Sequence, residues 1–233
     1  MKKCIELKNK FISKNRMKQY KSIDEYFKNL QLCKEYYIPL SLVEIALRNS
    51  LNSHFKQKIS QDWLLDKNFI QPQHQSKIDI SVKLLKLEKK KVEQDNILAE
   101  LSFGFFVTFF KAAYKNYLRY NDLKQIFPNL PSSKNKSVNR HFVFAKLNNI
   151  RLFRNKVFHH DKIIGKIEYQ NMINEIYEIL SYFDKEIKVS TVVKGQEKIK
   201  VLKMNDCGDL VEEVEENSGI SEFLVEGKKI KIS

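Results

Sequence analysis

The sequence predicts a mainly helical body with a small β-rich C-terminal appendage. Three observations lead there. Gly and Pro are scarce, 6 and 4 in 233 residues, so few turns interrupt the chain. Apolar residues recur at helical spacing through most of its length. Beyond residue 187 the period changes: "VSTVVKGQEKIKVLKM" and "FLVEGKKIKI" alternate and are rich in β-branched residues. The expected division is a helical domain over 1–186 and an appendage over 187–233.

The elements follow in order. Ser22-Ile23-Asp24-Glu25 reads as a capping box, and Tyr26, Phe27, Leu30, Cys33 and Tyr37 continue a helix from it. Pro39 is expected to end that helix, and Ser41-Leu42-Val43-Glu44 to open a second one reaching about Phe55. Ser76 to about Lys91 makes a helix with a very basic end. Glu100 to Tyr120 makes another, apolar over so much of its surface that it belongs in the core. "FPNLPSSKNKS" (Phe127–Ser137) is a loop. A helix then runs from about Val138 through "IRLFRNKVFHHD", and a last one from Ile163 to about Lys185. Lys194-Gly195 and Glu226-Gly227 sit where hairpin turns belong.

Charge narrows the partners. The net charge is +14, but residues 204–233 carry eight acids and three lysines. Residues 1–203 therefore hold 39 bases and 20 acids, a net of +19. A body that basic fits a polyanion, most commonly nucleic acid; a lysine-rich surface kept for solubility is the plainer reading. Three scattered cysteines build neither a disulfide framework nor a metal site, which fits a reducing cytoplasm. The opening MKKCIELKNK lacks the apolar core of a signal peptide, and "FGFFVTFF" is far short of the ~20 residues a membrane helix needs. No glycine-rich phosphate loop occurs. The expectation is a cytoplasmic protein with no metal and no cofactor.

The chemistry concentrates at Ile150–Asp161. Lysine outnumbers arginine 36 to 6, yet Arg151 and Arg154 stand here, with His159 and His160 following. Arginine holds a phosphate with a planar fork and stays charged; histidine moves protons near neutral pH. Together they suit RNA cleavage by 2′-hydroxyl attack, which needs a base, an acid and a stabilised oxyanion but no metal. The same residues also suit a solvated helix face closed by histidines against the helix dipole. On an ideal helix Arg154 and His159 lie about 140° apart, whereas Asn155 and His159 share a face. So the helix distorts near the histidines, Arg154 curls round, or a second copy completes the site.

The segment resembles the signature of the HEPN superfamily: Arg, a polar residue, three variable residues, His. More narrowly, "SKNRMKQY", "LVEIALRNSLNSHF", "LAELSFGFFVTFF", "IFPN" and "LFRNKVFHHD" resemble, in order, segments of the Abi-like (AbiD/AbiF) abortive-infection proteins over about residues 10–185. The resemblance implies a HEPN-like helical bundle, a homodimer, and metal-independent endoribonuclease activity in phage defence or a toxin system. It puts Arg154 and His159 in the catalytic places, with Asn155 and His160 supporting. Phe158 departs from the pattern, standing where relatives have a small residue. Glu44 and Arg48 either pair with each other at i, i+4 or orient the motif. Candidate RNA contacts are Arg151, Lys156, Lys89, Lys90, Lys91 and the loop residues Lys134 and Lys136. RNA is the expected partner, with an antitoxin or inhibitory RNA as a further one. The other function class consistent with these residues is a non-catalytic protein in a stable complex with a structured RNA.

Overall fold

The computed structural model describes residues 12–131 and 138–184, and the backbone of four strands between 197 and 230. The described part is mainly helical. Its helices are α1 (Lys14–Met17), α2 (Ile23–Lys58), α3 (Pro72–Leu87), α4 (Gln94–Glu100), α5 (Phe103–Val107), α6 (Tyr120–Ile126), α7 (Arg140–Phe158) and α8 (Met172–Phe183). Strand Glu197–Met204 pairs antiparallel with Leu210–Ser218, and Phe223–Val225 with Lys228–Ile230. Both expected turns, at 194–195 and 226–227, lie outside the described residues, as do Lys134 and Lys136.

The chain forms two compact units. One holds residues 12–34 and 160–165 together with the strands; the other holds 35–131, 138–159 and 166–184.

The first helix begins as expected. Ser22 Oγ accepts from the Glu25 amide at 3.1 Å, and the Glu25 carboxylate accepts from the Lys21 amide. It does not stop at Pro39. α2 runs unbroken for 36 residues with Pro39 inside it, so the expected second capping box at Ser41 is not formed. The Ser41 hydroxyl instead donates to the Tyr37 carbonyl at 2.8 Å. Proline inside a helix costs about 3 kcal/mol, since one amide bond is lost and the ring crowds the turn before it. Against that stands the buried seam that follows the proline in the same helix. Leu40, Val43, Leu47, Leu51 and Phe55 are all at most 1% exposed. Each contributes about 1.5–3 kcal/mol of burial, which outweighs the proline's cost.

The expected single helix over Glu100–Tyr120 is instead α5 and two 3₁₀ turns, Thr108–Phe110 and Ala112–Tyr114, with α4 ending at Glu100. The aromatics explain the breaks. Phe103, Phe105, Phe106, Phe109 and Phe110 are all at most 2% exposed. A straight helix aims such a run in every direction, so some rings would face water. Breaking it turns every ring inward, onto a core built with Phe55, Trp63, Phe69 and Tyr114. α5 and α8 both pack on α7, the helix that carries the arginines. The last helix starts later than expected, at Met172, after a turn at 164–165 and a 3₁₀ turn at Ile167–Tyr169.

Candidate active site

Asn139 caps α7, its side-chain oxygen accepting from the Phe142 amide at 2.9 Å. Val143, Leu147, Ile150, Phe153 and Val157 form the buried stripe of the helix. Val157 is 2% exposed and belongs to this core. Burying that stripe leaves Arg151, Arg154, Asn155 and Phe158 partly exposed beside it.

The helix ends at the motif. His159 is the C-cap residue, with φ −92° and ψ 6°, and its amide donates to the Asn155 carbonyl at 3.0 Å. His160 takes φ +54°, a left-handed conformation that costs a non-glycine residue about 1 kcal/mol. The regular helix therefore does not extend through the pair. Both histidines are exposed.

Arg154 is held on two sides. Its Nη2 lies 3.3 Å from Glu44 Oε2, and its guanidinium carbon sits 4.0 Å from the centre of the Phe158 ring. Tyr37 stacks on Phe158 at 5.1 Å, with the rings 23° from parallel. The Arg154 Nε–H is buried with no hydrogen-bond partner among the described residues. The side chains of Arg154 and Glu44 are 28% and 21% exposed, so the pair is partly screened. Of the two expectations for Glu44, the orienting one describes the geometry: it binds Arg154, not Arg48. Arg48 is half-buried and forms no ion pair among the described residues. Phe158 is the second support of Arg154, which gives its bulk a local purpose.

The other candidates are spread out. Arg151 gives both Nε and Nη2 to Asn148 Oδ1, at 3.1 and 2.9 Å. Its stem passes Gly104 closely: a Cβ there would lie 3.3 Å from Arg151 Cδ. Lys156 is exposed. Lys90 pairs with Glu88 at 2.7 Å and Lys91 with Glu93 at 3.7 Å, and Lys89 has φ +56° at the end of α3. No group of three or more metal-ligating side chains occurs among the described residues, and no described helix is long and apolar enough to cross a membrane.

In the other unit, the residues after the motif are held by groups the sequence reading missed. Asn29, fully buried, donates to the Asp161 carbonyl at 3.1 Å and accepts from the amides of Ile163 and Ile164 at 2.7 and 3.0 Å. Its one signal was a polar residue four before Cys33 on the buried seam. Arg16, from the "SKNRM" stretch, donates to the His160 carbonyl at 3.1 Å. Lys162 reaches Glu25 at 2.9 Å; the Lys21 amide first and Lys162 second hold the Glu25 carboxyl below its usual range.

His54 and His74 are buried in the core. Burial holds both below the usual histidine value, His74 at about 4. His74 bonds Thr108 Oγ1 at 2.6 Å and the Tyr114 hydroxyl at 3.1 Å.

Comparison with protein-family models, curated proteins and solved structures finds no match for this chain.

Proposed function

We propose that the protein is a metal-independent endoribonuclease of the HEPN type, acting in phage defence or as a toxin in the cytoplasm. The observation that carries this reading is Arg154, fixed between Glu44 and Phe158, five residues before an exposed histidine at a helix end. In the proposed reaction His159 takes the proton of an RNA 2′-hydroxyl. The 2′-oxygen bonds to phosphorus, the bond from phosphorus to the 5′-oxygen breaks, and that oxygen leaves protonated. The products are a 2′,3′-cyclic phosphate and a 5′-hydroxyl. Arg154 neutralises the pentavalent intermediate, a role worth about 10²–10³ in rate for a single donor.

The acid is the second histidine of a homodimer in this reading. Leu152, 50% exposed, and His159 are the exposed residues of this stretch that a twofold contact would use. In this reading the described helices are those of a HEPN-like bundle and the four strands between 197 and 230 belong to an appendage. An antitoxin or inhibitory RNA restrains the enzyme.

One observation favours a second reading, a non-catalytic RNA binder. Glu44 already neutralises Arg154, which would then make only a phosphate contact. Incubating single-stranded RNA with the protein in EDTA separates the two. The nuclease reading expects cutting that His159→Ala abolishes while binding persists. Binding without cutting by the parent establishes the second reading, and a strict need for added metal refutes the mechanism.

A further inference from the structure

Arg154 and Tyr37 both stack against the Phe158 ring. The guanidinium carbon lies 4.0 Å from the Phe158 centre, and the Tyr37 ring, 23° from parallel, is centred 5.1 Å from it. Tyr37 is nonetheless 55% exposed. The stack is organised in advance: Glu44 fixes Arg154, Arg154 fixes Phe158 at i+4, and Phe158 fixes the tilt of Tyr37.

From this geometry we infer that Tyr37 is a stacking platform for an unpaired RNA base, which makes the substrate single-stranded. The inference rests on the nuclease reading of Arg154. Three features of the stack support it. An exposed aromatic face takes any base, because every base has a π face, and the site then selects for unpaired rather than for particular bases. A ring already held by a neighbour loses little freedom on binding. The Arg154 guanidinium carbon and the Tyr37 ring centre are at most 9.1 Å apart through the stack, so a phosphate at one and a base at the other belong to one short stretch of strand. A duplex offers no free base face to such a ring.

The test uses a short single-stranded RNA carrying 2-aminopurine, whose fluorescence falls when it stacks on a ring. Binding is measured in a His159→Ala background, so that the RNA stays intact. Binding is expected to quench the probe. Tyr37→Leu should remove the quenching and weaken affinity about tenfold, within the range found for single stacked bases. Tyr37→Trp should restore both. Equal affinity and quenching in Tyr37→Leu would overturn the platform. With His159 intact, cleavage by Tyr37→Leu at the parent's KM would also overturn it and leave the nuclease reading standing. Quenching that depends on Tyr37 in a parent that never cuts RNA would refute catalysis and keep the platform. A parent that binds no RNA overturns both.

Discussion

Arg154→Lys separates the chemistry of Arg154 from its structural contacts. Lysine keeps the charge and still reaches Glu44, but it has no planar fork and covers Phe158 poorly. The structural loss is bounded by two partly exposed contacts. The ion pair at 3.3 Å contributes at most about 1 kcal/mol, and the contact over Phe158 about 0.5–1 kcal/mol. Urea unfolding should therefore register a loss of no more than about 2 kcal/mol. The catalytic loss should be larger. A donor aimed at developing charge is worth about 10²–10³ in rate, or about 3–4 kcal/mol. The assay is the first-order cleavage of a fluorophore–quencher single-stranded RNA in EDTA at saturating protein. A variant that keeps more than a tenth of the parent rate would refute the assignment of Arg154 to the transition state.

Other predictions concern its surroundings. Glu44→Gln keeps a hydrogen-bond acceptor for Arg154 but removes the opposing charge; RNA affinity should rise severalfold, with a steeper loss as salt increases, read by titration at several salt concentrations. Asn29→Ala strips three bonds from a buried site and should destabilise the protein by about 3 kcal/mol, with faster hydrogen exchange at the Ile163 and Ile164 amides. The His74 value of about 4 lies below the ~6.5 of an unfolded chain, so its contribution is complete above pH 6.5 and lost as pH falls towards 4. That loss amounts to about 3 kcal/mol, and unfolding measured from pH 7 to 4 should show a shallower fall in His74→Gln than in the parent.

The parts of the fold visible in the sequence are those that local periodicity encodes. Ser22 caps α2, and the seam from Leu40 to Phe55 repeats at helical spacing, so a helix there was legible. Whether Pro39 ends it was not, because that depends on burial on both sides of the proline, a tertiary quantity. The run Phe103–Phe110 was legible as core, but not the breaks that let every ring turn inward. At the site, arginine scarcity pointed to Arg154, and the ideal-helix angle left open a distortion, a curled Arg154 or a second copy; the helix end at His159 and the left-handed His160 were not legible. Glu44 had two partners within sequence logic, Arg48 one turn away and Arg154 on another helix. Spacing alone cannot choose between a local and a long-range ion pair. Asn29 was invisible for a related reason: its partners are backbone groups more than 130 residues away.

The central claim, that Arg154 and His159 cut RNA without a metal, is tested most directly by the ends of the product. The parent protein in EDTA should convert single-stranded RNA to fragments bearing a 2′,3′-cyclic phosphate and a 5′-hydroxyl, and His159→Ala should yield none. Fragments with a 5′-phosphate, or cleavage of parental strength from His159→Ala, would contradict it.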